Sequence, residues 1–112
     1  MDCIFCKIAS GVIPSNKVFE DEEILAFYDL DPQAPTHILL IPKIHVASVT
    51  KIDRSNSKMV ARIFEVTAML AKELGLDNGY RVVTNCGESA GQSVQHLHFH
   101  LLSGRDFTWP PG

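Results

Sequence analysis

Apolar residues recur at helical spacing in one long stretch, residues 57–74. There Met59, Val60, Ile63, Phe64, Thr67, Leu70, Ala71 and Leu74 fall on one broad stripe. The pattern predicts an amphipathic helix, capped by Asp53, Ser55 or Ser57 and stopped at Gly75. A shorter helical pattern covers residues 3–9, with Ile4, Phe5 and Ile8 on one side and Gly11 beyond its end. Elsewhere the pattern is that of strands. Residues 18–20 and 24–28 read as a hairpin around Asp21-Glu22, and two prolines break residues 31–35. The dense apolar run at 37–41 predicts a strand buried on both faces, with Pro42 ending it or marking an edge. Residues 80–84 and 95–102 complete the strands, the second preceded by a glycine- and serine-rich loop at 87–93. Strands grouped around one long helix, without βαβ alternation, predict an α+β fold with a largely antiparallel sheet.

The chain of 112 residues suits a single domain spanning 1–112. A net charge of −3 provides no basic field for nucleic acid. No apolar run approaches the ~20 residues that span a bilayer, and the first residues lack a signal-peptide layout, so a cytoplasmic or nuclear location is expected, with no membrane partner. Three cysteines make a poor disulfide framework and are expected to be reduced.

The chemistry concentrates in Gln95-His96-Leu97-His98-Phe99-His100-Leu101-Leu102. On a strand, the alternation puts three imidazoles on one face and Leu97, Phe99 and Leu101 on the other. One ion does not explain the row: at ~3.3 Å per residue, positions 96 and 100 stand ~13 Å apart, whereas a metal holds nitrogen at ~2.0 Å. Neighbouring rings can instead flank a phosphate and divide nucleophile and proton-donor roles. Gly87, Ser89, Gly91 and Ser93 let the preceding backbone approach such a ligand closely. Separately, Cys3 and Cys6 have the Cys-x-x-Cys spacing with which two thiolates grip one ion, which is half of a metal site.

The histidine–apolar alternation resembles the signature of the histidine triad family. The likeness extends to Asp2-Cys3-Ile4-Phe5-Cys6-Lys7-Ile8, Ala26-Phe27-Tyr28-Asp29, Pro35-Thr36-His37, Ile41-Pro42-Lys43, Gly91-Gln92-Ser93 and Trp109-Pro110-Pro111-Gly112. The terminal motif is most similar to the histidine triad nucleotide-binding branch. The resemblance implies a mainly antiparallel five-stranded sheet with one long and one short N-terminal helix, paired in a homodimer. It also implies hydrolysis of purine nucleoside phosphoramidates, of the adenosine 5′-monophosphoramidate type, through a covalent nucleotidyl-histidine. His100, where related nucleotidyltransferases have glutamine, implies water as the final acceptor. Dinucleoside polyphosphate hydrolysis, or a nucleotide-binding scaffold with residual hydrolysis, are the alternatives.

By this resemblance His98 is the nucleophile, a role that suits an imidazole, mostly neutral at pH 7 with a pKa of ~6.5. Its other nitrogen is expected to be fixed by a backbone carbonyl. His100 stabilises phosphate charge, Ser93 contacts the phosphate or the departing amine, and His37 helps protonate the leaving group. Asp29, with Leu30 beside it, accepts ribose hydroxyls, and Asn85 adds a ribose or phosphate contact. Gly91, Gln92 and Ser93 offer backbone groups to oxygen, and Phe99 lies among the nucleotide-binding residues. Ile4, Phe5, Ile8 and Phe27 form an apolar slot for the purine. Cys3, Cys6, His45 and His96 match the structural zinc ligands of members that begin with the cysteine pair, and no catalytic metal is implied. Cys86 is left as a plain thiol, and Trp109 is implied to reach across the dimer.

Overall fold

The computed structural model describes residues 2–112. In chain order the elements are α1 (Ile4–Ala9), β1 (Lys17–Glu20), β2 (Ile24–Tyr28), β3 (Thr36–Pro42), α2 (Ser57–Glu73), β4 (Tyr80–Val83) and β5 (Phe99–Ser103). Single 3₁₀ turns occupy Val49–Lys51 and Glu88–Ala90. The five strands form one antiparallel sheet in the order β1-β2-β3-β5-β4.

The sheet is sandwiched unequally. Ile24 and Ala26 of β2, Ile38 and Leu40 of β3, and Leu97, Phe99 and Leu101 face Met59, Ile63, Val66, Leu70 and Ala71 of α2. The alternate residues Leu25, Phe27, Leu39 and Ile41 face the other way, against Cys3, Phe5 and Ile8 around α1. β2 and β3 are therefore buried on both faces, which is why their sequences read as solid apolar runs. α2 ends where the pattern predicts: Gly75, at φ +70, lets its own N–H reach Lys72 O and that of Leu76 reach Ala71 O. Its start differs from expectation. Asn56 occupies the cap without a side-chain cap bond, and Asp53 is spent on the preceding turn, accepting from Ser55 N.

The histidine strand is also shorter than the alternation predicts, beginning at Phe99 rather than at Gln95. Leu40↔Phe99 is the last pair with β3, and Val83↔His100 the last with β4. Beyond them Pro42 has no N–H to extend the ladder. Leu97 N bonds to Val46 O instead, and the Thr84 side chain rather than its backbone meets His98 O, at 2.9 Å. Side-chain alternation outlasts the ladder, since Leu97 still faces α2.

Candidate functional site

The site lies on the α1 face of the sheet, where β3 and β5 bring His37 and His100 together. His37 pairs with Leu102 and His100 with Leu39, so the two histidines are diagonal neighbours on one face. His37 Nε2 is 2.8 Å from His100 Nδ1. The backbone N–H of Gln33 donates to His37 Nδ1 at 3.0 Å. An amide can only donate, so neutral His37 carries its proton on Nε2 and points it at His100 Nδ1. His100 is then protonated on Nε2. Burial, with His98 and His37 close by, pushes His100 down to about 4; burial also lowers His37, against Asp29 and Asp31. Asp29 Oδ2 lies 3.4 Å from His37 Nε2, and its Oδ1 accepts from Asp31 N. Asp29, His37 and His100 come close enough for one ion. The Gln33 bond argues against it, because it leaves His37 Nε2 with a proton rather than a lone pair.

His98 is fixed by a different carbonyl. Its Nδ1 lies 2.8 Å from His96 O, so that nitrogen carries the proton and Nε2 holds a bare lone pair. Phe5 packs edge-on against the ring at 5.1 Å, and the His100 ring also stands 5.1 Å away. His98 is 5% exposed. Among the described residues, Ser15 Oγ alone is a buried side-chain nitrogen or oxygen without a partner. The Nε2 atoms of His98 and His100 have no hydrogen-bond partner among the described residues, and neither atom is fully buried.

His96, fully buried, turns away from this pair. Its Nε2–H donates to Pro42 O at 2.8 Å, leaving Nδ1 bare. That Nδ1 lies 3.3 Å from Cys3 Sγ, 3.5 Å from Cys6 Sγ and 3.2 Å from His45 Nδ1. Two ligands held at ~2.0–2.3 Å by one tetrahedral ion stand ~3.3–3.8 Å apart. Cys6 Sγ to His45 Nδ1, at 3.3 Å, completes a set that fits a Cys₂His₂ centre. Cys3 also caps α1, accepting the N–H of Cys6 on its sulfur. Burial and the neighbouring Cys3 push the Cys6 thiol up, an effect that a bound cation reverses. Cys3, Cys6 and Cys86 are all free thiols.

The remaining expected residues divide. Phe5, Ile8 and Phe27 gather in the apolar cluster beside His98, the rings of Phe5 and Phe27 meeting edge-on at 5.8 Å. Ile4 is half exposed and borders, with Ser93, Val94 and His45, a cavity of about 380 Å³. Leu30 is 94% exposed and forms no wall of the slot. Asn85 and Gly91 lie on the segment leading to the histidines, with Asn85 half-buried and Gly91 at φ +86.

Three residues need correction. The Phe99 ring lies on the far side of the sheet against Phe64, at 5.5 Å, so only its backbone is available to a nucleotide. Two of the main-chain N–H groups expected to meet oxygen are already used, Gln92 N–H donating to Gly87 O at 3.1 Å and Gly91 N–H to Glu88 O at 3.0 Å. The Gln92 side chain accepts from Gly87 N and donates to Ala47 O and Val94 O, pinning the glycine loop. Thr84, Pro42 and Gln33 were missed because they act through a distant backbone partner or their own main chain, which local sequence does not mark. A larger cavity of about 610 Å³ lies elsewhere, beyond β4, with Arg81, Arg105 and Phe107 among its walls.

Residues 10–107 match the HIT domain family. A Zea mays protein named 14 kDa zinc-binding protein is 49% identical over 111 residues, covering 97% of this chain and 87% of its own. The Arabidopsis thaliana adenylylsulfatase HINT1 is 45% identical over 111 residues, covering 97% and 76%. Among solved structures, a HIT family hydrolase from Legionella pneumophila Philadelphia 1 superposes with a TM-score of 0.97 at 51% identity, covering 99% of this chain and 100% of that one.

Proposed function

This chain belongs to the HIT domain family, and on that footing we propose that it hydrolyses purine nucleoside phosphoramidates through a nucleotidyl-His98 intermediate. One observation carries the reading: His98 is held with its proton on Nδ1, against His96 O, and a bare Nε2 that is not fully buried, beside His100. An imidazole so oriented attacks the α-phosphorus without a separate base. The Nε2–phosphorus bond forms, the phosphorus–nitrogen bond breaks, and the amine leaves with a proton supplied through Ser93 or solvent. Water then attacks the same phosphorus, releasing the nucleoside monophosphate and restoring His98. His100 Nε2–H donates to a phosphate oxygen as charge builds there. His37, already donating to His100, acts through that ring rather than on the leaving group.

Asp29, at the mouth beside His37, accepts ribose hydroxyls, and Phe5, Ile8 and Phe27 take the apolar faces of the base. The backbone N–H of Ser93 remains for a phosphate oxygen, those of Gly91 and Gln92 being given to Glu88 O and Gly87 O, and Asn85 adds a ribose or phosphate contact. Cys3, Cys6, His45 and His96 hold one zinc ion, which supplies a structural clamp of α1 to the sheet. Two chains associate through the exposed edge of β4 and the outer face of α2, where Tyr80 and Phe64 are exposed.

The Arabidopsis relative is named for adenylyl sulfate, which presents the same α-phosphorus with a different leaving group. The test therefore offers both substrates. Rapid quench with labelled adenosine phosphoramidate and adenylyl sulfate should trap nucleotide on His98. Absence of a covalent species, with turnover intact in His98→Ala, removes the mechanism.

A further inference from the structure

The loop joining β2 to β3, residues 29–35, contains two prolines and makes no ladder, yet it supplies the amide that orients His37. Its own bonds are short-range: Asp31 N donates to Asp29 Oδ1 at 2.8 Å, and Gln33 Nε2 to Asp31 O at 3.0 Å. It is tied to β3 at its start, where Asp29 N donates to His37 O at 3.0 Å, and it is further supported by the turn after β5, more than seventy residues later. Arg105 Nε donates to Gln33 O at 2.9 Å. Next to it, a Cβ added at Gly104, whose φ is +96, would stand 2.8 Å from Pro35 Cβ, so the Gly104 main chain packs closely on the Pro35 ring. Arg105 is itself braced, its guanidinium 4.3 Å from the centre of the Phe107 ring and its NH1 donating to Asp106 O at 3.3 Å.

Three hydrogen bonds thus run in series, from Arg105 to the Gln33 carbonyl, from the Gln33 amide to His37 Nδ1, and from His37 Nε2 to His100 Nδ1. The direction of the series is set by its middle member, since a backbone N–H cannot accept. We propose that Arg105 is a positioning residue for His100: by holding the Gln33 loop against β3 it keeps the His37 and His100 protons on Nε2. Without it, the Gln33 amide is free to draw back and His37 can place its proton on either nitrogen. His100 would then lose the fixed donor that faces the phosphate. Arg105 touches no substrate in this arrangement.

The direct test reads tautomers. Two-bond ¹H–¹⁵N spectra of the intact ¹⁵N-labelled protein distinguish Nδ1–H from Nε2–H rings. The wild type is expected to show His37 and His100 as Nε2–H. In Arg105→Gln both should become mixtures, with kcat falling about tenfold and KM within about twofold. Arg105→Lys, which keeps a cationic donor, should recover most of the wild-type pattern. A wild-type His100 protonated on Nδ1 overturns the proposal, as does an Arg105→Gln protein with unchanged tautomers and kcat. Should Arg105→Gln fail to fold, Gly104→Ala, which crowds Pro35 from the same turn, replaces it: mixed tautomers support the proposal and wild-type tautomers overturn it. Only the kinetic arm rests on the hydrolase reading. If the wild type turns over no phosphoramidate, that reading fails while the spectra still decide the role of Arg105.

Discussion

His98 donates its Nδ1–H to the main-chain carbonyl of His96, 2.8 Å away, while the His96 ring presents its own bare Nδ1 to Cys3, Cys6 and His45 at 3.2–3.5 Å. One residue therefore belongs to both centres, its side chain to the metal set and its carbonyl to the ring with the open lone pair. Phe5, between the two cysteines in sequence, makes a second link by packing on both His96 and His98.

Metal removal is expected to act on both centres. Protein purified without added metal should contain about one zinc per chain by elemental analysis. Stripping it, or substituting Cys6→Ser, should cost several kcal/mol of stability, because binding free energy at a structural site is folding free energy. It should also slow turnover as His96 and Phe5 loosen. A metal-free protein with an unchanged melting curve would refute the assignment.

Substituting the proposed nucleophile should separate chemistry from binding. For His98→Asn, kcat on an adenosine phosphoramidate is expected to drop by a factor on the order of 10³ or more, since no other group in the pocket replaces the lone pair. Affinity for the nucleoside monophosphate, measured by calorimetry, should change only a few-fold. Comparable turnover by the variant would point to direct attack by water.

Acid should weaken the fold through His100. Its folded value of about 4 lies below the ordinary 6.5, so between these limits the unfolded chain binds more protons than the folded one. The contribution to stability is complete above about 6.5 and is lost as the pH falls toward 4, amounting to on the order of 3 kcal/mol at most. Urea unfolding of wild type and His100→Asn across that window should show the shallower pH dependence in the variant. Parallel curves would mean that His100 carries no such penalty.

Association is expected at the open side of the sheet. β4 is an edge strand, and edges left bare invite pairing. Phe64, 49% exposed on α2, and Tyr80, 42% exposed on β4, are large apolar groups for a single chain to leave in water. Sedimentation should give about twice the 12.4 kDa chain mass, and Phe64→Glu should shift the protein toward monomer. A wild-type monomer at micromolar concentration would exclude the pairing.

Much of the architecture can be read from periodicity, because burial imposes it residue by residue. The stripe of α2 needs one apolar face, β2 and β3 need apolar residues on both faces, and residues 97–101 need them at alternate positions. Where the ladder stops is another matter. The strand pattern continues back through His98 and His96, but pairing ends at Phe99 because a proline from β3 and a threonine side chain after β4 stand where partners are required. Phe99 misled for a related reason: a motif records that a residue is near a site, not which way its side chain points.

The sequence by itself determined which residue types stand in alternation, which spacing the two cysteines keep, and which faces must be buried, since these depend only on local backbone geometry and on excluding water. The tertiary structure alone decided which imidazole nitrogen carries the proton. That choice rests with Pro42 O for His96, His96 O for His98, and Gln33 N–H, through His37, for His100. Apart from the His96 carbonyl, these are backbone groups of distant segments. Every residue type has such groups, so no local pattern marks them, and only folding selects which of them meets a ring.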